Sequence, residues 1–292
     1  MTPPTVVEAL DAAVARLADG ESPRLDAEWL LADILAWPRS RLRAFPETTL
    51  TPEQHRAFVK QVERRAAGEP VAYLTGWHGF RDLELTVTPD VLIPRPETEE
   101  LVDHALALLA EHETARMVDI GTGSGAIALA LARAHPGAEI HATEASAAAV
   151  AVAAENVRGL GPDGSPRLHH GEWLADLPGP WELVVSNPPY IAADDPHLER
   201  GDVAFEPRAA LAAGPDGLDA LRVLARDIPP TLAPGGWLLV EHGHEQADAV
   251  AALFREAGLE AVDTLADLGG HARFTRGRRR PDTPDPQSGS GS

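Results

Sequence analysis

The chain has 292 residues, 44% of them hydrophobic and 24% charged, which is enough to bury a sizeable core and excludes disorder over most of its length. Basic residues number 25 against 45 acidic, a formal net charge of −20, which repels a phosphate backbone; the visible basic cluster is Arg273, Arg276, Arg278, Arg279 and Arg280, so no direct nucleic-acid partner is expected. The absence of cysteine excludes disulfides, thiolate nucleophiles and cysteine-ligated metals, and with neither a signal-peptide pattern at Met1-Thr2-Pro3-Pro4 nor a membrane-length apolar run, the expectation is a soluble, cytoplasmic protein.

From Val6 to Ala67 apolar residues recur at helical spacing: Leu10, Val14 and Leu17, then Leu30, Ile34 and Leu35, then Phe58 and Val62. This predicts a small helical domain over residues 1–72. Its last helix has Thr51 as N-cap, Pro52 at the first helical position, Gln54 completing a capping box and Gly68 just past the end. Beyond Pro70 the pattern alternates, with Leu83, Leu85 and Val87 on one face and Val91-Leu92-Ile93 after a Pro89-Asp90 turn. That predicts a β-hairpin linker within 73–97.

From Thr98 onward strands and helices alternate. Helices are expected over 98–112, 124–135, 146–158, 217–227 and 246–257, and strands over 115–120, 138–144, 167–171, 181–187, 236–242, 259–265 and 272–277. Such alternation predicts an α/β domain over 98–278, with a parallel, doubly wound sheet covered by helices on both faces. The tail, 279–292, is rich in Pro, Asp, Gly and Ser from Pro281 and is expected to be disordered. There is no internal repeat and no metal-ligand spacing; His169-His170 and His242/His244 are spaced like strand or loop residues, and no metal is expected.

Three places carry chemistry. Met117-Val118-Asp119-Ile120 runs into Gly121-Thr122-Gly123-Ser124-Gly125-Ala126 and then into a helix with Ile127, Leu129 and Leu131. Strand, glycine turn and helix make a nucleotide-binding crevice: glycine supplies positive φ and lets a ligand approach the main chain, and the helix N-terminus offers N–H groups. Gly121, Gly123 and Ala126 also satisfy a looser dinucleotide fingerprint, so the turn alone leaves an oxidoreductase open, or a tight turn without a ligand. Glu144, ending Ile140-His141-Ala142-Thr143-Glu144, stands where a carboxylate would accept two ribose hydroxyls; it can equally be a surface acid near a helix N-terminus. Glu172-Trp173, after the third strand, are candidates to hold and cover an adenine ring.

The third place separates the cofactors. Leu183-Val184-Val185-Ser186-Asn187-Pro188-Pro189-Tyr190 puts Asn-Pro-Pro-Tyr at the carboxyl end of the fourth strand. Two prolines fix φ and remove two donors, and Pro188 pushes Asn187 into an extended conformation, so the corner presents acceptors in set directions. An amide or exocyclic amine nitrogen is a poor nucleophile because its lone pair is delocalised. If the Asn187 side-chain oxygen and the Pro188 carbonyl each accept one N–H, that lone pair is aimed at the sulfonium methyl of S-adenosyl-L-methionine, with Tyr190 against the flat group. The leaving group is the neutral thioether S-adenosyl-L-homocysteine, so no metal, covalent intermediate or strong base is required. The plainer alternative is a rigid turn without catalytic duty.

These segments resemble the HemK/PrmC family of peptide chain release factor glutamine methyltransferases. Further ones carry the resemblance: Glu69-Pro70-Val71-Ala72-Tyr73-Leu74-Thr75-Gly76, Val91-Leu92-Ile93-Pro94-Arg95-Pro96-Glu97-Thr98-Glu99, and Phe205-Glu206-Pro207 with Ala210-Leu211. It runs from the helical domain to Arg276. The resemblance implies a class I S-adenosylmethionine-dependent methyltransferase domain, Rossmann-like, seven-stranded and mostly parallel with its last strand antiparallel, behind a helical domain that helps recognise the release factor. It implies methylation, at N5, of the glutamine in the factor's Gly-Gly-Gln loop. Cofactor contacts then fall on Asp119, Gly121, Thr122, Gly123, Ser124, Gly125, Glu144, Trp173 and Asn187, substrate contacts on Asn187, Pro188, Pro189 and Tyr190, and catalysis on Asn187, Pro188 and Tyr190. Glu144 and Glu172 stand where such proteins usually have Asp, each reaching one methylene further. Arg95 and Glu97 are read as bracing the linker. Competing readings are an adenine-N6 methyltransferase acting on nucleic acid, which the acidity disfavours, and a non-catalytic S-adenosylmethionine-binding module.

Overall fold

The computed structural model describes residues 3–109, 114–162, 165–174 and 177–282. They fall into two compact units, one of Met1–Trp77, Val87–Pro89 and Glu199–Glu206, the other of His78–Thr86, Asp90–Leu198 and Pro207–Ser292. No helix among the described residues is long and apolar enough to cross a membrane.

The smaller unit holds α1 (Val6–Arg16), α2 (Pro23–Leu35), α3 (Arg39–Ala44), α4 (Pro52–Ala66) and the short α5 (Val71–Thr75). Capping boxes Thr5/Glu8 and Thr51/Gln54 satisfy the first N–H groups of α1 and α4. Apolar stripes close on a core that includes Val6, Leu10, Leu30, Leu31, Leu50 and Phe58. The segment Glu199–Glu206 joins this unit by charge: Arg65, half-buried, donates from Nε to Asp26 at 2.7 Å and from a terminal nitrogen to Asp202 at 2.6 Å. Beside it Gly68, at φ +100°, leaves room for the Phe205 ring, which a Cβ there would approach to 3.0 Å.

A two-stranded sheet of β1 (Trp77–Phe80) and β2 (Leu83–Thr86) turns at Arg81, where φ is 54°. The expected hairpin is therefore displaced: β2 pairs with the segment before it, and Val91-Leu92-Ile93 forms no strand. Pro89 before that stretch and Pro94 and Pro96 after it have no N–H with which to extend a ladder beyond three residues, although Val91 and Ile93 are buried. Trp77-His78-Gly79-Phe80 has no apolar alternation by which to be found.

The large unit is built on seven strands: β3 (Arg116–Ile120), β4 (Glu139–Glu144), β5 (Arg167–His170), β6 (Trp181–Ser186), β7 (Leu232–Glu241), β8 (Glu260–Ala266) and β9 (Ala272–Arg278). Their order is β5-β4-β3-β6-β7-β9-β8, and β9 alone runs antiparallel to its neighbours β7 and β8. Side chains alternate between two cores: Met117, Leu183, Val185 and Leu239 enter one, and Val118, Ile120, Val184, Leu238 and Val240 the other. Helices α6 (Pro96–Leu108), α7 (Ala126–Ala134), α8 (Ala147–Leu160), α9 (Asp219–Asp227) and α10 (Ala247–Glu256) complete the unit. The end of the helix expected over 98–112 lies outside the described residues. So does the tail from 283, but its expected start is corrected: the Arg279 main chain bonds Gly235 and Gly236, and Arg280 pairs with Glu260.

Candidate active site

Parallel register brings the chemistry together. Ile120 lies beside Thr143 of β4 and Ser186 of β6, and Ser186 beside Val240 of β7. One residue further on, Gly121, Glu144, Asn187 and Glu241 line the same carboxyl edge. The chain runs β3-β4-β5 in one direction and β6-β7 in the other, so the crevice opens between β3 and β6, where strand order reverses.

In the glycine turn, Gly121, Gly123 and Gly125 have φ of 72°, 56° and 87°, a region costly for residues with a Cβ. A Cβ on Gly121 or Gly123 would meet no atom within 4 Å, so both glycines border open space. Thr122 and Ser124 turn inward and are buried. Asp119, fully buried, accepts the Thr122 hydroxyl at 2.6 Å, while its Oδ1 lacks a hydrogen-bond partner. Burial pushes its carboxyl up to about 7 against the pull of Thr122 and the Ala128 N–H. Asp119 and Thr122 thus support the turn from beneath, and only its main chain faces the crevice. Glu144 accepts the Gly123 N–H at 3.0 Å and the Ser146 N–H at 2.8 Å, which holds its carboxylate at the rim of the turn. Trp173 is half-buried at φ 52°, packed against the core beneath β3, whereas Glu172 is exposed.

The Asn-Pro-Pro-Tyr corner is anchored from behind. Gln246 donates to the Tyr190 carbonyl at 2.9 Å, and Ile191 pairs with Leu211 and Ala213. Gly217, at φ +73°, lets that carbonyl pass where a Cβ would sit 2.3 Å from it. Among the described residues neither Asn187 Oδ1 nor the Pro188 carbonyl accepts a hydrogen bond. These two oxygens are the acceptors expected from the sequence. The Tyr190 hydroxyl donates to Glu241 at 3.3 Å, and burial first, then the Glu241 charge, push the phenol well above its ordinary value.

Several residues here have no sequence signal of their own. Glu241, 1% exposed, accepts the Thr98 hydroxyl at 2.8 Å, and Thr98 in turn receives Asn187 Nδ2 at 3.1 Å. Thr98 belongs to the Ile-Pro-Arg-Pro-Glu-Thr-Glu run; Pro96 starts α6 and so carries Thr98 inward on its first turn. Asn156 of α8 accepts the Thr86 N–H and donates to the Thr86 and Ser124 carbonyls, tying β2 to the glycine turn.

Comparison with known proteins bears on the family and the fold. A family model described as the PrmC N-terminal domain matches residues 8–76, and one described as a methyltransferase small domain matches 98–204. The release factor glutamine methyltransferase of Salmonella typhimurium is 46% identical over 273 residues, 93% of this chain and 98% of that protein. That of Pseudomonas aeruginosa is 46% identical over 265 residues, 90% of this chain and 95% of that one. Among solved structures the hMettl16 catalytic domain, in complex with a 3'UTR hairpin, aligns with TM-score 0.57 and 15% identity over 89% of this chain and 95% of that chain, a likeness of fold alone.

Proposed function

The chain belongs to the release factor glutamine methyltransferase family, and on that premise we propose that it transfers a methyl group from S-adenosyl-L-methionine to the side-chain amide nitrogen of the glutamine in the Gly-Gly-Gln loop of a peptide chain release factor. Its large unit has the class I methyltransferase architecture. The observation that carries the proposal is the pair of unpartnered acceptors, Asn187 Oδ1 and the Pro188 carbonyl, beside the glycine turn.

The residues present fit the cofactor: open space in front of Gly121 and Gly123 suits a ligand lying on the main chain, and the Glu144 carboxylate at its edge suits ribose hydroxyls. Trp173 stands on the segment after β5 as a candidate cover for the adenine. When bound, S-adenosyl-L-methionine supplies an electrophilic methyl and departs as a neutral thioether.

Asn187 and Pro188 each take one N–H of the substrate carboxamide, which fixes the plane of the amide and the direction of its lone pair. Tyr190 packs on the flat group with its hydroxyl committed to Glu241, and its raised phenol stays protonated, so it is no general base. The displaced amide proton leaves to solvent. A carboxylate of the substrate side chain would offer no N–H and be rejected. The helical unit is assigned to recognition of the factor, and the site of action to the cytoplasm, where translation factors work.

The test is transfer of labelled methyl to a purified release factor or to DNA and RNA. Label in the factor, lost when its Gly-Gly-Gln glutamine becomes alanine, is expected. Label in nucleic acid alone would favour an adenine-N6 enzyme, and cofactor binding without transfer to any acceptor would make the chain a binding module. The basic cluster speaks against nucleic acid, because Arg273, Arg276 and Arg280 are paired with Asp267, Asp263 and Glu260, and Arg278 and Arg279 donate to main-chain carbonyls.

A further inference from the structure

A carboxamide is ambiguous: half a turn about its last torsion exchanges oxygen for NH2 and converts an acceptor into a donor. Asn187 can receive a substrate N–H in one of its two orientations only. Its neighbours decide which. Thr98 has one hydroxyl proton and gives it to Glu241 Oε2 at 2.8 Å, so its oxygen is left to accept, and Asn187 Nδ2 donates into it at 3.1 Å. The Tyr190 hydroxyl is spent on Oε1 of the same carboxylate at 3.3 Å. An ionised carboxylate has no proton to return, so every donor in the cluster points toward it.

We propose that Thr98 and Glu241 are positioning residues that lock the Asn187 carboxamide with Oδ1 toward the substrate amide. This deepens the glutamine-methylation reading and rests on it. The lock depends on the charge of Glu241. Once protonated, its hydroxyl can donate to Thr98, whose own proton is then free to turn to Asn187 and draw Oδ1 inward, reversing the chain of hydrogen bonds and removing the acceptor. Burial pushes the Glu241 carboxyl up to about 7; the Thr98 and Tyr190 hydroxyls pull it down, Glu97 of α6 pushes it up and Arg273 of β9 lowers it. Arg95 acts on Tyr190, and the adjacent His242 ring is bonded to the Gly243 carbonyl and Thr275.

The experiment compares Thr98→Val, Thr98→Ser, Glu241→Gln, Asn187→Ala and the Thr98→Val/Asn187→Ala double variant in methyl transfer to a release factor, with S-adenosyl-L-methionine affinity by calorimetry and melting temperature alongside. Thr98→Val is expected to lower kcat about 100-fold with near-unchanged cofactor Kd, Thr98→Ser to recover most of the loss, and the double variant to be no worse than Asn187→Ala, since the residues act through one group. Wild-type kcat is expected to rise as pH passes about 7 and to lose that rise in Glu241→Gln, a readout that holds even if Thr98→Val folds poorly. If Asn187→Ala is inactive while Thr98→Val and Glu241→Gln match wild type in rate and pH profile, the lock is wrong and the proposed function stands. If Asn187→Ala keeps full activity, the function itself is misread.

Discussion

Asp119 lies wholly inside the protein although its side chain is a carboxyl. Its proton affinity, raised by burial to about 7, exceeds that of an unfolded aspartate, so between the two values the folded state binds more protons. This contribution to stability is full below the ordinary aspartate range and is lost as pH rises through about 7. Asp119→Asn carries no charge at any pH. Urea unfolding at about pH 5 and about pH 8 is therefore expected to show wild type losing stability relative to Asp119→Asn at the higher pH; an unchanged gap would mean the carboxyl titrates as an exposed one. The glycines separate two costs. Gly123→Ala meets open space and pays only for its positive φ, about 1–2 kcal/mol, while placing a methyl where the cofactor would lie. Its signature is a large loss of S-adenosyl-L-methionine affinity with a small loss of stability.

The elbow is an element held by others. Gly217→Ala would set a Cβ 2.3 Å from the Tyr190 carbonyl and 2.8 Å from the Gln246 nitrogen that anchors it. Because the nearest atom is backbone, the elbow itself must shift. Loss of kcat of at least about 10-fold together with a lower melting temperature is expected, and a variant with wild-type kcat would show that the elbow is not pinned there. In the small unit, Arg65→Ala removes the ion pair to Asp202 that holds Glu199–Glu206, together with the Asp26 pair that fixes the guanidinium, and leaves the segment with the half-exposed Phe205 as its large apolar side chain. Hydrogen exchange in that segment is expected to accelerate while the cores of α2 and α4 keep their protection. The displaced hairpin teaches a related point: Leu83 and Leu85 announced β2, but its partner strand is marked by pairing and not by pattern, whereas prolines disqualified Val91–Ile93 after the apolar count had favoured it.

At the scale of the whole molecule, what could be read from the sequence is what lies contiguous in the chain. Buried parallel strands read as apolar runs, Leu183–Val185 without a break and Met117–Ile120 interrupted by Asp119, while the glycine turn and Asn-Pro-Pro-Tyr each occupy a few consecutive residues and the capping boxes need only a spacing of three. The Thr98–Glu241 contact spans 143 residues and exists only because β7 docks beside β6 and α6 begins at the same edge. Asn156, Gln246 and Gly217 were invisible for the same reason, since each acts on a segment brought to it by the fold. The charge of −20 belongs to this scale too. With the basic residues of β9 already paired, titration with duplex DNA at about 0.15 M salt is expected to show no binding, and micromolar affinity that weakens with salt would reverse that expectation.

The measurement that bears most directly on the account is fragmentation mass spectrometry of a release factor after incubation with enzyme and S-adenosyl-L-methionine. One added methyl located on the side-chain nitrogen of the Gly-Gly-Gln glutamine, and missing when Asn187→Ala replaces the wild-type enzyme, is the predicted result. A methyl on any other residue, or the same methylation at undiminished rate from Asn187→Ala, would contradict it.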